Sequence, residues 1–298
     1  DANVPIRNFD QNLQELSVLN CTEKGQVLTL ENEKSVFDLN ADIARQLSKV
    51  RQEKGKDRSD HDLRIEISKL AGIRPPAKIP VPRMEDIARV HRDEYHIDKL
   101  VLHTDSKIPL PGLTFHPKVP QESAYLYLTD EGKTGDGQPL GPIEDLVNDG
   151  YAVVTLDMRG QGETRMEVRD DLLGDWKLFY LAYLQGKTLV GPRTEDAISG
   201  AKFIANYALP TDEKRKVHLV GVGQAGIVAL HAAAIHPDLF ATVTIKNAPP
   251  SWTNIVGDQN AQGQLDSIVN GALQVYDLPD LVRLAGGADK VKFETTKD

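Results

Sequence analysis

The 298-residue chain sets 35 Lys and Arg against 44 Asp and Glu, and its formal net charge of −9 argues against a phosphate-backbone partner, so no nucleic acid is expected. Hydrophobic residues at 40% and charged residues at 27% exclude wholesale disorder. No apolar run approaches the ~20 residues needed to cross a bilayer, so no membrane partner is expected either, and the length suits one large α/β domain with a smaller appendage.

Asp1-Ala2-Asn3 offers neither an initiator Met nor a charged-then-apolar leader, which reads as a processed protein or an excised piece of one. Cys21 is the only cysteine, so no intrachain disulfide can form. A strand-like run over 26–30 and the segment 35–40 are followed by two polar helices near 41–54 and 60–71, with Asn40 and Ser59 as their N-caps. The cluster Lys54, Lys56, Arg58 is interrupted by acids and reads as a solvated helix end. Arg74-Pro75-Pro76 stops the second helix, and Pro80 and Pro82 keep the chain extended. Residues 1–82 are therefore expected to be an extension or cap, and 83–298 the main domain.

From there strands alternate with helices. Leu100–Thr104 and Leu113–Phe115 read as a hairpin with Pro111-Gly112 near its turn, followed by strands at 124–128 and 151–156 separated by a helix around 143–147. A long helical region near 170–206 precedes the apolar strand 217–220, a helix near 226–235 and the strand 241–245. This alternation implies right-handed crossovers and a mainly parallel α/β sheet.

Ligands of such sheets bind beyond the carboxyl ends of the strands, where two loops carry chemistry. The first, Asp157-Met158-Arg159-Gly160-Gln161-Gly162, has glycines for tight turns and an acid and a base that can tie the loop by charge-assisted hydrogen bonds. Its D-x-R-G-x-G pattern marks α/β-hydrolases, and Asp157, Arg159, Gly160 and Gly162 are expected to be structural. The second, Gly221-Val222-Gly223-Gln224-Ala225-Gly226, stands where such a sheet has its nucleophile elbow G-x-S-x-G, with Gly223 in place of serine. The same glycines satisfy G-x-G-x-x-G before a helix, but the motif follows four or five strands instead of opening the fold, which disfavours a dinucleotide reading.

These motifs, together with Cys21–Val27, Tyr183–Asp196 and Leu278-Pro279-Asp280-Leu281, resemble the acetyl-xylan-esterase-like α/β-hydrolases, carbohydrate esterases that are often secreted and often built as tandem halves. The resemblance implies an α/β-hydrolase-type sheet with an N-terminal extension, a secreted or periplasmic setting, an acylated polysaccharide or oligosaccharide as ligand, a companion hydrolase domain, and a Ser-His-Asp triad. Carried across, the nucleophile position is Gly223, the acid position falls at Asp298, and the histidine should come later still; no histidine follows His236. With the order of the triad unfilled, the last strand and helix of the sheet are also expected to be missing.

The oxyanion hole would use the Gln224 amide and the Thr129-Asp130 region, where acids would repel a developing oxyanion. Ser251 is the best stray hydroxyl near a strand end, and His103, His116, His218, His231 and His236 read as structural. No cofactor is implied. The histidine spacing offers no metal motif, since His231 and His236 are five residues apart and misaligned on a helix. The expected function is that of a non-catalytic α/β-hydrolase-like chain with a structural or carbohydrate-binding role. The alternatives are an esterase whose catalytic groups are relocated or supplied by another segment or chain, and binding of an anionic group at the elbow glycines.

Overall fold

The computed structural model describes residues 15–27, 30, 33–165, 176–207, 214–261 and 263–295. Helix α1 (Val36–Lys54) begins about one turn before the predicted Asn40 cap. Ser35 Oγ accepts from the Asp38 amide at 3.2 Å, and Asp38 Oδ2 accepts from the Ser35 amide at 2.8 Å; this capping box fixes the start and leaves Asn40 inside the helix. Of the strand expected at 26–30, Leu28 and Thr29 lie outside the described residues, and Gln26, Val27 and Leu30 join no strand. Helix α2 (Asp60–Ala71) is capped by Ser59 and ends at Gly72, whose φ of 77° turns the chain before Arg74. Leu63, Ile67 and Ala71 recur every four residues along α2 and are buried in the main core, so the segment before residue 83 contributes core as well as surface.

One eight-stranded sheet follows, made of β1 (Arg83–His91), β2 (Tyr95–His103), β3 (Pro109–Pro117), β4 (Ser123–Leu128), β5 (Ala152–Leu156), β6 (Lys216–Val222), β7 (Phe240–Lys246) and β8 (Val291–Glu294). Their spatial order is β1-β2-β3-β5-β4-β6-β7-β8. The first three form an antiparallel meander, β3 joins β5 antiparallel, and the remaining pairings are all parallel. The hairpin turn lies between His103 and Pro109, where the Lys107 amide donates to Thr104 O; Pro111 and Gly112 are instead inside β3, paired with Val101 and Leu100. β1 was not expected from the sequence. It is exposed along most of both faces and lacks the apolar alternation that marks a half-buried strand, and a bulge interrupts its pairing between Asp86 and Ala88.

Helices cover both faces. On one, α3 (Pro142–Asn148) packs Ile143 and Val147 against Phe115, Tyr127, Val153 and Val220. On the other lie α2, α5 (Val190–Asn206), α6 (Ala225–Ile235) and α8 (Leu278–Ala285), and every residue of α6 is buried, as an apolar helix at the centre of a layer must be. Two further helices are α4 (Trp176–Leu184) and α7 (Trp252–Gly257). The helix expected over 170–206 is therefore two helices: 170–175 fall outside the described residues, and Gly186, at φ 64°, ends α4 before α5 begins.

Candidate functional site

The parallel strands direct their carboxyl ends to one edge of the sheet, where β6 turns through Gly223 into α6. Gly223 has φ of 62°, the left-handed conformation that only glycine adopts without strain, and its amide donates to Lys246 O at 2.8 Å. β4 lies beside β6 with Leu128 opposite Gly221, so Asp130, two residues beyond β4, arrives next to the turn. Its carboxylate accepts the Gln224 amide at 2.9 Å on Oδ2 and the Ala225 amide at 2.7 Å on Oδ1. These are the first free amides of α6, and a carboxylate is the group a helix N-terminus favours.

Asp130 also fills the space in front of the turn: a Cβ on Gly223 would lie 2.1 Å from Asp130 Oδ2. Burial pushes the Asp130 carboxyl above the ordinary carboxylate range, and the two amides offset part of that shift. Thr129 is buried and closes the local turn by donating from Oγ1 to Gly132 O at 2.9 Å. An incoming phosphate would meet the same carboxylate on the amides it needs, so the anion-binding alternative finds its place taken.

The Asp157 loop is tied both to itself and to its neighbours. Asp157 accepts from the Lys133 amide at 2.8 Å, Lys133 Nζ at 2.5 Å and the Glu163 amide at 3.0 Å. Arg159 pairs with fully buried Asp196 on α5, its Nη2 at 2.8 Å from Oδ1, so the two residues fix the loop to different neighbours. Gly160 and Gly162 both take positive φ in this turn.

Ser251 caps α7 and donates to Asp277 Oδ2 at 2.7 Å. Asp277 is 26 residues on and also accepts from the Thr253 hydroxyl and the Trp252 and Leu278 amides, with Arg51 at 3.7 Å. A carboxylate so saturated is a poor proton acceptor for Ser251. Among the described residues the hydrogen-bond partners of Ser251 are Asp277 and Thr253, and neither is a histidine. A polar cavity of about 600 Å³ opens here, lined by Ser251, Thr253, Asp277, Arg51, Lys56 and Arg58 among others; the elbow is elsewhere.

Solved structures were compared with this arrangement. A Bacteroides fragilis protein described as a candidate acetyl xylan esterase superposes with a TM-score of 0.61 at 14% identity, covering 90% of this chain and 84% of its own. The acetyl xylan esterase of Paenibacillus sp. R4 gives 0.49 at 14% identity over 90% and 89%, and acetyl xylan esterase 1 of Thermoanaerobacterium gives 0.46 at 14% over 80% and 92%. The chain has an acetyl-xylan-esterase-like α/β-hydrolase fold. No protein-family model and no curated protein sequence matches it.

β6, Gly223 and α6 make a strand-turn-helix of the form expected for an elbow, and Gln224, the residue after Gly223, is the N-cap of α6. Asp298 lies outside the described residues. His231 is wholly buried in α6, where Nδ1 donates to Ile227 O at 2.7 Å and Nε2 accepts from Tyr276 at 2.8 Å; burial lowers its pKa to about 4. His103 pairs with Glu85 at 2.6 Å, His218 stacks on Tyr125, and His236 ends α6. Asp277 and His96 escaped the sequence reading. Each has a decisive partner 20 or more residues away, Ser251 for Asp277 and His116 for His96, and only the register of the folded sheet and helices reveals it.

Proposed function

We propose that this α/β-hydrolase-fold chain is non-catalytic at its elbow and acts through its surface, as a structural or carbohydrate-binding partner of an active esterase domain. The observation that carries this reading is the Asp130 carboxylate bound to the Gln224 and Ala225 amides. It occupies the space of a nucleophile side chain and places negative charge where catalysis of acyl transfer needs positive potential. An esterase binds a developing oxyanion with those amides; here they are spent on the chain's own acid.

The rival reading, an esterase with relocated groups, is favoured by one feature: Ser251 is a hydroxyl lining the large polar cavity, 2.7 Å from a carboxylate. Both readings meet in a single assay on p-nitrophenyl acetate and acetylated xylan. The expected result is no turnover above the heat-denatured chain and no labelling by a fluorophosphonate probe. Turnover well above that control, abolished by Ser251→Ala, would refute the non-catalytic reading and move the active centre to the cavity.

A further inference from the structure

We propose that His96, Asp98 and His116 form a binding site for one divalent transition-metal ion of the zinc type, at the edge of the sheet opposite the elbow. In the antiparallel pairing of β2 and β3, His96 stands directly across from His116, and Asp98 lies two residues further along β2 on the same face. A nitrogen from each ring and a carboxylate oxygen lie within 4.8 Å of one another. The two imidazoles stack with centroids 5.0 Å apart and planes 17° from parallel.

His116 provides the independent sign that something belongs here. It is 7% exposed, yet its Nε2 has no hydrogen-bond partner. Buried polar atoms are nearly always satisfied, so an orphan nitrogen on a ring that lies beside a second imidazole and a carboxylate is a sign of a missing partner, and a metal ion is the partner this donor set suits.

Two imidazoles and one carboxylate are a donor set that zinc accepts, leaving a fourth position for water. Ligands on a tetrahedral ion stand about 3.4 Å apart, so the present spread closes by rotation of His96, the most exposed of the three. Asp98 is already oriented by neighbours, accepting Arg89 Nε at 2.6 Å and Nη2 at 3.0 Å, with Tyr207 Oη at 3.5 Å from Oδ2. A carboxylate has lone pairs left after these bonds, and hydrogen-bonded carboxylates are the usual form of metal-ligating ones. The positive charge of Arg89 opposes a cation and limits the affinity. His91, opposite His96 on β1, is an exposed further imidazole on the same side of the ladder.

Phe115, next to His116, pairs with Val153 near the start of β5, whereas Gly223 follows the end of β6, so the two sites lie at opposite ends of the strands. An ion here would tie β2 to β3 and stiffen the antiparallel half of the sheet, without entering the chemistry of the elbow.

The test is calorimetric titration of the chelator-treated chain with Zn²⁺, with melting curves and the visible absorption of the Co²⁺ form. One equivalent should bind saturably and raise the melting temperature by about 5 °C at saturating metal. His96→Ala and His116→Ala should each weaken binding at least about 10-fold, while His103→Ala, which breaks the separate pair with Glu85, should leave it unchanged. If His116→Ala fails to fold, half-buried His96→Ala decides alone. Absence of saturable binding in the unaltered chain overturns the proposal, as does binding that survives His96→Ala and disappears with His103→Ala.

Discussion

Replacing Gly223 by serine is expected to destabilise the chain by about 3 kcal/mol and to give no esterase. Two costs add. An L-residue held at the left-handed φ of 62° costs about 1–2 kcal/mol. The new Cβ also meets Asp130 Oδ2, and forcing an extra group into a filled space costs about 1–3 kcal/mol. To make room, Asp130 must leave the Gln224 and Ala225 amides. In an Asp130→Ala background the same Gly223→Ser change should keep only the backbone cost, so a double-mutant cycle should show a coupling of about 1–2 kcal/mol. Urea unfolding of the four proteins measures it. If the two changes simply add, Asp130 does not exclude the side chain and the account of the blocked elbow fails.

Asp277→Ala should cost more, about 4 kcal/mol, because it strips the acceptor from two hydroxyls and three amides and leaves Arg51 buried without its anionic partner. Asp277→Asn keeps the shape and one acceptor oxygen, and should cost about 1–2 kcal/mol. Acid should narrow the gap between the unaltered chain and this Asn variant. Burial raises the Asp277 carboxyl, but the combined hydrogen bonds from Thr253, Ser251, Leu278 and Trp252 outweigh it and hold the pKa below 3.8. A depressed folded-state pKa contributes stability that is complete above the unfolded value and is lost as pH falls through the folded one. Unfolding midpoints of both proteins from pH 6 down to pH 3 should converge below about pH 4. A constant gap would mean that Asp277 does not stabilise as an anion.

The central strands were legible because each is a short run of apolar and β-branched residues bounded by helices, and β5 is buried along its whole length. The runs 124–128, 151–156, 217–220 and 241–245 each fall within or against β4, β5, β6 and β7. Strands buried on two sides carry that signal in composition alone. β1 carries none, since a strand solvated on both faces has no reason to alternate. The glycine at the elbow was legible as a departure from a motif, whereas its consequence was not. That Asp130 occupies the turn depends on β4 lying beside β6, which brings together residues 94 positions apart. The same holds for His96 and His116: a spacing rule along the chain finds ligands on one helix or one turn, but not ligands facing each other across a ladder.

The irregular outer strand has a further effect, on how copies of the chain meet one another. An edge strand offers a free row of amides and carbonyls to any extended segment that approaches it. On β1 that row is broken where Asp86 gives way to Ala88, leaving stretches of four paired residues on either side, Arg83–Asp86 and Ala88–His91. A straight incoming strand can therefore dock over one stretch but not run through both. Arg83, Glu85, Asp86 and Arg89 would bring charge into any such seam. The bulge thus protects this flank of the sheet from polymerising with its like, and straightening it by deleting Ile87 would turn the flank into a template.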